Sequence, residues 1–381
     1  MDKASHFISS FAPFATFCNN KNNPAFTTMY LIASLALSLV LFSAWKWSYR
    51  YIPKAQSSPD TVREKSKLVE IEPLKEFDWQ QNDPAKHRPF KPVYHITMAI
   101  QASPPEDLII VDNNYLDRVT NRRQILKENI SKVAGALPEG IPALHETWTY
   151  LLSEYLPKRY PTMFSLSEDR TMFQNHVTNV SLPITPPEDP VTALQALGET
   201  VEDDIFLLVE TPEGHRAVSF VCCHPAGFDP SDKLGKLMKD IHTPVPSYDK
   251  IGASMERFFS RLQVGKSVKR MNWSVSTHDR LFSPNDLHIY DGDKIEEDED
   301  VDIGKARLRQ ELQTLTRLPK TGAILFSFKT YLTPIDEVKK EGFGLQLADA
   351  IEGLKNGNAP GMWVYKGASR WGKSVCEYLR S

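Results

Sequence analysis

Two histidines in this chain are set beside prolines: His224 in "CCHPAGFDP" and His242 in "IHTPVPSY". Among the ten histidines they stand apart, because a metal ligand must be held at one angle and a proline-restricted turn does that at little cost. His6, His87, His278 and His288 lie in polar contexts, while His95 and His145 adjoin apolar patterns where a hydrogen-bonded core or surface histidine is the ordinary outcome. A second group is "RLPKTGAILFSFKTY", Arg317 to Tyr331, in which alternating Ile324, Phe326 and Phe328 are bracketed by cations and a phenol. Such charges can simply mark the ends of a core strand. The alternative is a flat, apolar ligand with acidic groups.

Familiar chemistries are missing. The chain has no G-x-x-x-x-G-K-[ST], no G-x-G-x-x-G after a strand, no G-x-S-x-G elbow and no H-E-x-x-H helix. "HETW" at His145 lacks a second histidine. The four cysteines (Cys18, Cys222, Cys223 and Cys376) form neither a C-x-x-C pair nor a disulfide framework, and they cannot hold an iron–sulfur cluster. Adjacent Cys222 and Cys223 must point to opposite faces of a strand, as two packed thiols in a reduced compartment. A formal net charge of −3 with no basic block argues against nucleic acid. With 41% hydrophobic and 24% charged residues, the 381-residue chain is ordinary globular material.

The elements that must position these residues read as α+β. "DIFLLVE" (Asp204–Glu210) and "RAVSFVCC" (Arg216–Cys223) alternate as strands around the turn "TPEGH". "MNWSVST" after Arg270 has strand alternation, and so does the run from Ile324. Helical spacing is expected over Tyr115–Val133, over "HETWTYLLSEYLPKRY" until Pro157 stops it, over Val191–Thr200 and over Met255–Leu262. A short helix ending near Leu237 would leave His242 just past it. Lys305–Thr316, with Leu308, Leu312 and Leu315, is expected to be a helix that delivers Arg317 to the strand.

Thr27 to Trp45 is a nineteen-residue run without a charge, edged by Tyr30, Trp45, Trp47 and Tyr49. It predicts a polar tail over 1–26, a single-pass anchor over 27–47, a proline-dotted linker over 48–86 and one domain over 87–381. Lys46, Arg50, Lys54, Arg63 and Lys65 follow the run while only Lys21 precedes it closely, which places the domain in the cytosol. "DGDKIEEDEDVD", with eight acids in twelve positions, reads as a solvated insertion.

Four stretches in order carry a resemblance: "HRPF" at His87, "KLGKLMKDIHTPVPSY" at Lys233, "RMNWS" at Arg270 and "RQELQTLTRLPKTGAILFSFKTY" at Arg309. Over residues 87–340 the chain resembles the haem-dependent oxidative N-demethylase alpha-subunit-like family. The resemblance implies a PAS-like antiparallel sheet with flanking helices, a b-type haem, and oxidative removal of a methyl group from a small alkylamine with electrons from an external reductase. It casts Phe326 and Trp273 as porphyrin walls and Arg270 and Arg317 as partners of the propionates. An imidazole then ligates the iron, His242 in the matched segment first and His224 second. Asn272 and Tyr331 would donate hydrogen bonds on the oxygen side. The anchor, "CCHPAGFDP" and the acidic insertion depart from the family, so a haem or small-molecule sensor, or a membrane scaffold, stands as the alternative.

Overall fold

Runs of aromatic, leucine and β-branched side chains form the strands, and glycine or proline turns close them. The computed structural model describes residues 70–88, 90–295 and 300–381. Its strands are β1 (Gln101–Ser103), β2 (Ala134–Ala136), β3 (Phe164–Leu166), β4 (Met172–Asn175), β5 (Val180–Pro183), β6 (Asp204–Thr211), β7 (Gly214–Val221), β8 (Ser267–Ser276), β9 (Arg307–Arg317) and β10 (Ile324–Pro334). Seven make one antiparallel sheet in the order β1-β8-β9-β10-β6-β7-β2, and β3-β4-β5 make a small second sheet. The helices are α1 (Tyr115–Val133), α2 (Ile141–Thr149), α3 (Leu156–Arg159), α4 (Pro190–Gly198), α5 (Met238–Ile241), α6 (Asp249–Arg261), α7 (Ile335–Lys340), α8 (Gly344–Glu352), α9 (Met362–Tyr365) and α10 (Ala368–Arg380). The α+β class and the β6–β7 hairpin are as expected.

Side chains alternate across a strand, so one register decides both faces of the sheet. In β10, Ile324, Phe326 and Phe328 pair with Arg317, Leu315 and Gln313 of β9 and join a core cluster with α5 and α6. Leu325 joins the opposite cluster, under α1, α2 and α4. Cys222 and Cys223 divide in the same way, one to each cluster, both buried and free.

On that opposite face β10 also carries Lys329, almost fully buried. Its Nζ lies 2.7 Å from Asp112 and against Glu202, and it donates to the Ile110 carbonyl at 2.8 Å. A buried cation survives only with such partners. Asp203 beside them accepts from Ser327 Oγ at 2.6 Å. The Lys329 and Tyr331 that follow the apolar run therefore belong to a charged core on the far side of the sheet.

Three expectations need correction or placing. Lys305–Thr316 is not a helix: Arg307–Arg317 is β9, the full partner of β10 and β8. Both of its faces are buried, so Leu308, Leu312 and Leu315 satisfy a helical spacing while serving two sides of a strand. Pro157 does not stop its helix; a π-helical turn over Tyr150–Tyr155 precedes it, and α3 continues to Arg159 with Pro157 in its first turn, where no N–H is needed. The expected anchor lies outside the described residues, and among these no helix is long and apolar enough to cross a membrane.

Candidate functional site

The face of the sheet that carries Phe326 and Phe328 is the floor of a cavity of about 260 Å³. Phe206 of β6 lies stacked between Phe220 and Phe328, with ring centroids 5.4 and 6.2 Å away and planes 16° from parallel in both cases. Met238 and Ile241 of α5 and Ile251, Met255 and Phe258 of α6 face this floor from above. α6 can do so because one side of it is apolar, while Asp249 in its first turn and Arg261 in its last complement the helix dipole. The segment from Tyr94 to Ile100 closes a third side. It is pinned by Tyr94 N–H to the Gly353 carbonyl (3.2 Å) and Ile96 N–H to Asn358 Oδ1 (2.7 Å). Gly357, at φ +78°, makes that approach possible, since a Cβ there would stand 2.0 Å from the Tyr94 carbonyl oxygen.

His242 caps α5 and lines the cavity. Its Nδ1 lies 2.8 Å from the Met238 carbonyl, which can only accept, so Nδ1 carries the proton. Nε2 is then the lone-pair nitrogen, on the ring edge turned away from the helix. The ring stacks on Tyr248 at 4.7 Å and 7°. Burial pushes its pKa down to about 4, against the opposing bond to Met238. A neutral imidazole with its tautomer fixed by a backbone carbonyl is the form that ligates a metal.

The polar end of the cavity is built by β8 and β9. Arg270 and Asn272 stand opposite Gln313 and Glu311 in register. Arg270 is half-buried, its Nε is buried without a hydrogen bond, and no carboxylate among the described residues lies within ion-pair distance. Burial lowers its pKa, with Tyr94 and Glu311 opposing. Lys366, at the end of α9, is buried beside it and donates to Asn272 Oδ1 (3.2 Å) and the Trp273 carbonyl (2.6 Å). Burial pushes this ammonium down to about 8, while Glu311 raises it and Arg270 lowers it further. With Lys233, three cations and one carboxylate among the described residues line the cavity. An unpaired guanidinium in apolar surroundings calls for an anion.

Of the residues singled out in the sequence, His242, Arg270, Asn272 and Phe326 share this cavity, and Trp273, Tyr331, Arg317 and His224 do not. Strand parity explains two of these exceptions. Trp273 follows Asn272 and so faces away, edge-on to Phe90. Tyr331 lies on the Lys329 side of β10, edge-on to His87. Arg317 is spent on backbone: it donates to the carbonyls of Leu262 and Gly322, both at 2.6 Å, and of Phe259. His224 is buried three residues past β7, its Nε2 3.3 Å from Asn121 Oδ1. Asn272 is itself held, its amide oxygen by Lys366 and its Nδ2 by Glu311.

Sequence reasoning missed His288, Lys366 and Glu311. His288 lines the cavity, stacked on Tyr365 at 4.4 Å and pushed down to about 3 by burial and then by Lys366. A signal existed: Leu287 and Ile289 are buried, so His288 and Tyr290 alternate with core residues in "LHIY". Gly227, at φ +72°, lets the chain pass, since a Cβ there would meet His288 Nδ1 at 2.8 Å.

A haem fits these residues on three observations: the orphaned Arg270 Nε for an acidic edge, the phenyl-lined floor for a flat apolar face, and the neutral His242 with a free Nε2. The chain also matches the family model described as haem-dependent oxidative N-demethylase, alpha subunit-like, over residues 99–376. The match begins after the "HRPF" stretch and extends beyond Tyr331 into the last helix.

Proposed function

The chain belongs to the haem-dependent oxidative N-demethylase alpha-subunit-like family, and from that premise we propose that it is a haem-b oxidoreductase, a monooxygenase acting on a small methylated amine. The observation that carries the reading is the meeting of His242 Nε2 and the unpaired Arg270 in one apolar cavity. His242 would ligate the iron, and Arg270, with Lys233 and Lys366 near, would hold the propionates. Bound there, the haem would supply dioxygen activation. The chain's own part is to position and to protonate. Phe206, Phe326 and Phe328 orient a flat ligand and exclude water. Lys366 Nζ, poised near neutral pH, can hold or yield a proton, and Asn272 fixes where that nitrogen sits.

The strand order supports the PAS-like reading. Numbered among themselves, β6 to β10 lie in the order third, fourth, fifth, first, second, with α5 and α6 inserted between the second and third. No nicotinamide or flavin fingerprint accompanies the site, so the electrons would come from a separate reductase. A membrane anchor at Thr27–Trp45 would hold the domain beside a membrane-bound donor and raise its local concentration.

The test is haem titration of the purified full-length chain, followed by formaldehyde release from dimethylamine with a reductase and dioxygen. A Soret band in the unsubstituted chain, altered in His242→Ala, is expected. No Soret band after loading overturns the reading, and haem binding without formaldehyde favours a sensor.

A further inference from the structure

The outer surface of the cavity roof is basic. Residues 233–270, which carry α5, α6 and the start of β8, hold nine lysines and arginines against three acids. That stretch is net +6 in a chain of net −3, so the remaining residues carry −9. Six of its cations are exposed: Lys236, Lys239, Lys250, Arg257, Arg261 and Lys266. Among the described residues, no carboxylate lies within ion-pair distance of any of the six. Arg257 donates to Ser254 Oγ at 2.9 Å and Lys250 to the Asn358 carbonyl. Of the three acids, Glu256 is taken by His215, whose Nδ1 and backbone N–H lie 2.7 and 3.1 Å from it. Unpaired cations gathered on one face set up a local potential that the overall charge conceals.

α6 sorts its side chains by spacing. Ile251, Met255 and Phe258 face the cavity, while Ala253, Arg257, Ser260 and Arg261 are exposed. Where the helix ends, a groove of about 550 Å³ runs between Pro104–Pro105 and the turn into β8, with Arg261 and Lys266 in its lining. Phe258 lines both the groove and the cavity, so the two share one side chain. A carrier seated on α6 is separated from the cavity by a single helix, about 10–12 Å across. The groove accepts a protruding side chain or loop, which a planar lipid surface does not offer.

We propose that the outer face of α6, with the groove at its end, is the docking surface for an acidic electron-carrier protein. The proposal rests on the function proposed above, which requires electrons from outside the chain, and it adds their point of entry. Opposite charge draws the carrier in and the groove sets its register.

An acidic flavodoxin is the probe. Calorimetric titration of the haem-free full-length chain with oxidised flavodoxin at about 20 mM salt should show saturable binding that fades towards about 300 mM. Arg257→Glu with Lys266→Glu should weaken it at least about tenfold. Lys127→Glu with Lys132→Glu, the same charge change on exposed positions of α1 across the sheet, should not. In the haem-loaded chain, flavodoxin hydroquinone gives one electron to one ferric iron, and the rate followed at the Soret band should fall with salt and in the roof variant alone. A net charge of −3 without the basic face would repel the carrier, and the rate would rise with salt instead. Absent binding, binding unchanged in the roof variant, or equal weakening in both variants overturns the proposal. Binding with a reduction rate indifferent to the roof variant overturns the assignment to an electron carrier. Phosphatidylserine vesicles are a further arm: if the roof variant loses them and keeps flavodoxin, the face belongs to a membrane and the proposal falls. If the roof variant does not fold, the sign of the salt dependence decides. A missing Soret band in the unsubstituted chain overturns the haem reading, which the calorimetry does not need, so the two failures are distinct.

Discussion

Replacing Arg270 by methionine should move two measurements in opposite directions. In the haem-free chain the guanidinium has no carboxylate partner among the described residues, and its Nε is buried without an acceptor. Leaving a buried donor unsatisfied costs about 1–3 kcal/mol, and a well-packed apolar side chain of similar volume removes that cost. Allowing for contacts that methionine does not recover, Arg270→Met should stabilise the haem-free protein by about 1 kcal/mol. The same side chain is proposed to hold a propionate through charge-assisted hydrogen bonds, each contributing about 1.5–3 kcal/mol. Its loss should therefore weaken haem binding by roughly 10- to 150-fold. Urea titration of the haem-free chain gives the first quantity, and haem titration followed at the Soret band gives the second. A destabilised apo protein with unchanged haem affinity would refute the reasoning, because Arg270 would then be a structural arginine like Arg317.

Arg317 supplies the contrast. With its guanidinium spent on three backbone carbonyls, Arg317→Ala should destabilise the fold by roughly 3 kcal/mol in urea titration and leave the haem affinity of the folded fraction unchanged. The cavity histidines should make the haem-free protein acid-labile. His242 and His288 have folded pKa values pushed down to about 4 and about 3, below the unfolded value of about 6.5. The unfolded chain thus binds more protons in this window, and stability present above pH 6.5 is lost as pH falls towards 4. His288→Asn should reduce that slope by about 1.4 kcal/mol per pH unit, measured by urea titration between pH 6 and 4.5.

How much of this was legible depends on the kind of signal. Hairpin β6–β7 announces itself because its alternation and its turn agree, and α1 because helical spacing persists over nineteen residues. β9 misled because a strand buried on both faces has no polar side, and leucines at offsets of four and three imitate a helix. The prolines singled out His224 and His242 alike and the resemblance put His242 first; the cavity contains His242 and not His224. Arg270, Asn272 and Phe326 came with the family resemblance, and the cavity does contain them. Pairing Asn272 with its neighbour Trp273, or Phe326 with Tyr331, overlooked the two-residue period that sends odd and even positions to different faces. Glu311 and Lys366 were hidden for another reason. Glu311 sits among Arg309, Gln310 and Gln313, and Lys366 ends a short apolar run, so each looks like a solvated charge until its neighbours in space are known.

Strand β10 ties the shape of the pocket to a set of charges that never touch it. Slipping by one residue against β6 and β9 would thrust the Lys329 ammonium among phenyl rings and press Phe326 or Phe328 against Asp112, Glu202 and Asp203. Neither side tolerates the exchange, so the strand has one resting place and the floor cannot drift. A substitution at Glu202 would accordingly be felt across the sheet as a misshapen floor, without any atom of the pocket having been replaced.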